Sequence, residues 1–140
     1  MPITYSLYAD RRLLVTALAG RVGYDEFYAT YKAIMADTTE WSEILEFSLI
    51  PSSVALDITP SDLRDLAERL STALSERGSR MKTAFVVPSD TNYGLASVYR
   101  AQAAFNGFMD LNVLRDAQQA VEWLGIDSAM LTQILPPDFH

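Results

Sequence analysis

The 140-residue chain has no cysteine. Disulfide frameworks, thiolate metal sites and cysteine nucleophiles are therefore excluded. Histidine occurs once, as the last residue, His140, where a chain frays most readily. Without an internal histidine, a serine hydrolase lacks its usual base. Basic residues are scarce. Eleven Lys and Arg against 18 Asp and Glu leave a net charge of -7, the wrong sign for displacing counterions from nucleic acid. Gly-rich phosphate loops are missing too, since neither GxGxxG nor GxxxxGK occurs. Apolar runs such as Phe85-Val86-Val87 fall far short of the ~20 residues that span a bilayer. Met1-Pro2-Ile3-Thr4-Tyr5 leads straight into an alternating pattern, with no basic region followed by an apolar stretch. The expectation is a cytoplasmic chain with no transmembrane segment, and the missing cysteines fit it.

What is present suits one globular domain. Hydrophobic residues make up 49% and charged residues 21%, enough for a sizeable core within this length. Ile3, Tyr5 and Leu7 alternate with Thr4 and Ser6, the period of a half-buried strand. After the polar turn Ala9-Asp10-Arg11-Arg12, Leu13 to Leu18 is apolar at almost every position, and the pair reads as an antiparallel hairpin. Gly20 and Gly23 punctuate the chain. Tyr24, Phe27, Tyr28, Tyr31, Ile34 and Met35 then recur at helical spacing. That stripe is expected to pack on the sheet, with ligand lining as the alternative.

Asp37, Glu40, Glu43 and Glu46 follow three apart with no basic residue among them, the pattern of a solvated face. Leu45, Phe47 and Leu49 alternate with Glu46 and Ser48, which predicts a third strand exposed on its polar face. The stretch from Pro51-Ser52-Ser53 to Thr59 takes no assignment. Thr59-Pro60-Ser61-Asp62 starts a helix with a cap, a proline at the first helical position and an acid in the first turn. Leu63, Leu66, Ala67, Leu70, Ala73 and Leu74 form its apolar face, and Gly78 stops it. Met81 to Val87 reads as a central fourth strand. Pro88-Ser89-Asp90 opens a third helix, with Tyr93, Ala96, Tyr99 and Ala103 on one side and Asn106-Gly107 at its end. Leu111, Val113 and Leu114 make a fifth strand, and Asp116 starts a short helix closed by Gly125. Alternation of this kind after a hairpin implies right-handed crossovers and a mostly parallel five-stranded α/β sheet, with the first and fifth strands at its edges.

Three stretches resemble the SpoIIAA-like branch of the STAS superfamily, whose fold is shared with Sec14-type lipid-transfer domains. They are Gly20-Arg21-Val22-Gly23-Tyr24-Asp25-Glu26-Phe27, then Asp57-Ile58-Thr59-Pro60-Ser61-Asp62-Leu63, and finally Tyr93-Gly94-Leu95-Ala96 taken with Ala120, Trp123, Leu124 and Gly125. The resemblance covers residues 1–125 and implies a SpoIIAA-like β-α superhelix. Residues 126–140 are left as an amphipathic extension packed on the domain or on a partner subunit. Switching members of the superfamily carry a phosphorylated serine in an Asp-Ser loop after the third strand. Here Pro51 precedes Ser52 and Ser53, and a phospho-switch is not expected. Ser97 stands where relatives often have arginine.

No catalytic residue, metal site or cofactor is assigned. Asp37, Glu40 and Glu43 are the only candidate metal ligands, and their spacing alone does not make them converge. Open α/β sheets bind ligands beyond the C-terminal ends of parallel strands. This places the candidate contacts at Ser89, Asp90, Thr91, Asn92, Tyr93 and Gly94, with Ser52 and Ser53 nearby. Two functions fit. The first is a non-enzymatic regulatory or protein-interaction module, expected as a homodimer through the apolar stripe Met130, Leu131, Ile134 and Leu135. The alternative is a carrier or sensor of a small apolar, lipid-like ligand, suggested by the Sec14-type relationship and the many aromatics. A packed interior would mark the module, and a cavity of ~300 Å³ or more the carrier.

Overall fold

A computed structural model describes residues 2–105 and 107–136. His140, Pro137, Asn106 and Met1 lie outside them. The expected hairpin is present: β1 (Ile3–Tyr8) pairs antiparallel with β2 (Leu13–Leu18) across a short turn of 3-10 helix. Three more strands join in parallel, β4 (Glu43–Leu49), β6 (Arg80–Val86) and β7 (Met109–Leu114). The sheet order is β1-β2-β4-β6-β7, so the first and last strands are its edges. Two short strands complete the set. β3 (Arg21–Gly23) runs parallel to β5 (Ala55–Asp57), which is where the unassigned stretch before Thr59 goes. Three residues each are too few to show a period in sequence.

Helices α1 (Tyr24–Asp37), α2 (Pro60–Arg77) and α3 (Asp90–Ala103) connect the parallel strands. Their starts are fixed locally. The Gly23 N–H donates to Glu26 Oε1 at 2.9 Å, and the Thr59 hydroxyl accepts from the Asp62 N–H at 3.0 Å. Gly23 leaves little space for a side chain, because a Cβ there would meet the Asp57 carbonyl oxygen at 3.3 Å. Gly78 ends α2 with φ +68°, a left-handed conformation that glycine adopts without strain.

Strand alternation divides the core into two layers. Ile3, Leu14, Leu18, Ile44, Met81, Phe85, Leu111 and Val113 lie on the side of α1, α2 and α3. Leu13, Val15, Phe47, Leu49, Ala84 and Val86 face the other way, toward α4 (Ala117–Leu124). That second layer continues past Gly125. A 3-10 turn at Ser128–Met130 leads into α5 (Leu131–Ile134), and Met130 and Ile134 are buried against the same sheet face, with Leu131 and Leu135 packed beside them. The apolar stripe that suggested a homodimer thus finds its cover within one chain. The apolar side of β4, Leu45, Phe47 and Leu49, belongs to the same cluster.

One expectation is overturned. Glu46 and Ser48 are not on a solvated face; each is 1% exposed. Because β4 is the middle strand, its polar side points into the layer beneath α1 and α2. Asp37, Glu40 and Glu43 are exposed, and no group of three metal-ligating side chains forms among the described residues.

Candidate functional site

The two segments singled out in the sequence meet at one end of the sheet. Asn92, 3% exposed, donates from Nδ2 to the Val54 carbonyl at 3.0 Å and so ties the turn at Ser52 and Ser53 to the start of α3. Ser89 caps α3, accepting from the Asn92 N–H at 3.3 Å. Asp90 pairs with Arg115 at 2.8 Å, and that guanidinium lies 4.0 Å from the centroid of the Tyr93 ring. Thr91, Gly94, Ser52 and Ser53 are exposed. None of these eight residues lines the large cavity of the protein.

That cavity begins at the next residue of α3, Leu95. It has a volume of about 550 Å³ and lies between α1 and α2, with α3 and the sheet behind. Phe27, Tyr31 and Met35 contribute from α1, Leu66 and Leu70 from α2, and Leu95 and Tyr99 from α3. The aromatic stripe of α1 therefore divides its work. Ile34 is fully buried, whereas Phe27, Tyr28, Tyr31 and Met35 face the cavity.

Two ties hold α1 and α2 on either side of it. At their N-terminal ends, the Tyr24 hydroxyl donates to Asp65, and Arg69 Nε donates to the same carboxylate at 2.8 Å. The Tyr24 hydroxyl and Arg69 hold the Asp65 carboxyl below its ordinary range. The Arg69 guanidinium also lies 5.0 Å from the centroid of Tyr28, which stacks on Tyr24. At their C-terminal ends, Arg77 donates to the carbonyls of Met35 at 2.8 Å and Trp41 at 3.1 Å, and also to that of Thr38. The Arg77 fork thus supplies a carbonyl in the last turn of α1, at Met35, and adds a second donor to those of Thr38 and Trp41 in the segment that follows.

Below the cavity sits Glu46. Its Oε2 accepts from the Thr16 hydroxyl at 2.9 Å and the Tyr31 hydroxyl at 2.7 Å; its Oε1 accepts from Thr83 at 2.9 Å. Ser48 extends the network, 2.8 Å from the Thr16 hydroxyl. No cation among the described residues takes part. Burial pushes the Glu46 carboxyl above the usual glutamate value, against the three hydroxyl donors that favour the anion. The Tyr31 phenol is pushed up by burial and then by the Glu46 charge, and Tyr99 by the same two causes. A signal for this network existed in the sequence. Thr16, Glu46, Ser48 and Thr83 are the polar interruptions of three central strands, all at the same phase of the alternation.

No protein-family model matches the chain, and no curated protein matches it. A solved structure does: an uncharacterised protein of the DUF3478 family from Shewanella loihica, described as having a SpoIIAA-like fold. It shares 14% identity with a TM-score of 0.54, over 87% of this chain and 93% of that one. The likeness is one of architecture. The chain has a SpoIIAA-like fold, a mostly parallel five-stranded sheet opened by an antiparallel pair.

Proposed function

We propose that this protein is a carrier or sensor of a small apolar ligand, held in the cavity between α1, α2 and α3. The observation that carries this reading is the cavity itself. A cleft of about 550 Å³, open to solvent and walled mostly by aromatic and aliphatic side chains, lies within the ~300–1,000 Å³ of small-molecule sites. A regulatory module acting only through its outer surface has no use for such a space.

Native mass spectrometry of the protein as purified, joined to titration with an environment-sensitive apolar dye, tests the reading. Ala73 lies on the α2 wall of the cavity, and Ala73→Trp fills the space without removing a core side chain. The wild type should retain or take up an apolar molecule, and Ala73→Trp should weaken dye binding at least tenfold. Equal binding by both proteins, or none by the wild type, would reject the cavity as the site and return the surface module to first place.

A further inference from the structure

The wall of the cavity nearest the sheet is not uniformly apolar. Tyr31 and Tyr99 both line it. The Tyr31 hydroxyl gives its hydrogen to Glu46, so toward the cavity its oxygen has only lone pairs to offer. Tyr99 is the opposite case. Its ring is set edge-on to Phe85, centroids 6.0 Å apart, yet its hydroxyl makes no hydrogen bond among the described residues. Gln102 Oε1 is the only side-chain polar atom among them sealed from solvent without a partner. The Tyr99 hydroxyl therefore opens to the cavity and keeps a hydrogen to donate. A ligand that accepts from it takes the place of water at that hydroxyl.

The surroundings restrict what that ligand can be. The two cations along the cavity, Lys32 and Arg69, are exposed at its rim, so no positive charge awaits an anion at the inner wall. Glu46 behind Tyr31 makes an anion there less favourable still. An ammonium group would find the Glu46 oxygens already accepting from Thr16, Tyr31 and Thr83, Asp65 taken by Arg69, and Glu68 and Glu76 out at the exposed rim.

We infer that the ligand is an apolar alcohol, whose single hydroxyl accepts from Tyr99, donates to the Tyr31 oxygen and turns its hydrocarbon body toward the mouth between α1 and α2. This rests on the cavity as the binding site and names the head group it selects. One donor and one acceptor lining the same cavity are the complement of a hydroxyl; a carbonyl uses only half of the pair, and a charged head uses it at the cost of desolvation.

The test compares heads on one chain: decanol, decanoate and decylamine, each displacing a bound apolar dye from the full-length protein at neutral pH. Decanol should bind most tightly. Tyr99→Phe removes only the donor and should weaken decanol about fivefold to tenfold, the size of one net hydrogen bond. Its affinity for the dye should stay within about twofold. Tighter binding of decanoate or decylamine by the wild type would overturn the inference. So would an unchanged decanol affinity in a folded Tyr99→Phe. If Tyr99→Phe does not fold, the ranking of heads on the wild type decides alone. Dye binding without displacement by any of the three would sink the alcohol and leave the cavity standing. Failure to bind even the dye would remove both.

Discussion

Glu46 offers the sharpest perturbation, because a buried carboxylate with three hydroxyl donors and no cation responds oppositely to two substitutions. Glu46→Ala deletes the acceptor for Thr16, Tyr31 and Thr83 together. A buried donor left unpaired costs about 1–3 kcal/mol, and water entering the vacated space from the cavity recovers part of the sum. A net loss of about 3–5 kcal/mol is expected, which in a domain of this size lowers the melting temperature by about 10–20 °C. Glu46→Gln keeps the shape and can satisfy the same hydroxyls, with the Thr83 rotor turning to accept. It removes the charge that burial disfavours. The folded-state pKa of Glu46 lies above its unfolded value, so the native state holds the proton more tightly. Its contribution to stability is then complete below the unfolded value and is lost as pH rises through the folded one. Glu46→Gln should therefore be more stable than the wild type at neutral pH, and the gap should close as pH falls below the ordinary glutamate range. Measuring the difference between the two proteins cancels the other carboxylates, including Asp65, whose lowered pKa works in the opposite direction. Denaturant unfolding at several pH values is the assay. A Glu46→Ala protein melting within about 3 °C of the wild type would refute the energetics, as about 1 kcal/mol is all that allows. A Glu46→Gln protein that loses stability at neutral pH would refute the sign.

Three further outcomes can be checked by equilibrium unfolding. Ile134→Ala, at a position 6% exposed in the core cluster that includes Phe47 and Leu49, should cost about 2–4 kcal/mol if α5 is part of the core. Light scattering on the same protein shows whether a dimer forms in spite of that docking. Arg77→Met keeps an apolar stem but strands the carbonyl of Met35, while those of Thr38 and Trp41 keep the Trp41 N–H and the Ser79 hydroxyl; a loss of about 1–3 kcal/mol is expected. Thr59→Ala removes the α2 cap and should cost about 1 kcal/mol, with dye binding in the cavity unchanged.

Much of the fold was legible in the chain because its signals are local. The alternation at Ile3, Tyr5 and Leu7, the Thr59-Pro60 helix start and the stop at Gly78 each depend on neighbours a few residues away. The order of strands and helices then implied a parallel sheet with β1 and β7 at the edges, as found. What stayed hidden depends on partners far along the chain. Glu46 was expected in water because it shares a spacing with Asp37, Glu40 and Glu43. A spacing of three says nothing about a strand, where the period is two and the covering helix decides which face is dry. The hydroxyls that accept Glu46 into the core come from residues 16, 31 and 83, and no local pattern links them. The pairing of β3 with β5 was lost for the same reason.

The candidate site divides along the same line. Sequence by itself determined that aromatic side chains recur on α1 and that an acid-rich, cysteine-free chain is ill suited to nucleic-acid contacts or thiol chemistry, since composition and helical period are properties of the string. It also brought Ser52, Ser53 and the start of α3 to one end of the sheet, through the rule that parallel strands present their ends together. Only the tertiary structure decided that the stripe of α1 stands off from α2 instead of closing on it, held by Asp65 and Arg69 at one end and Arg77 at the other. The distance between two helices is set by every side chain packed beneath them. A cavity, being the place where none of those side chains reaches, has no residue of its own to announce it.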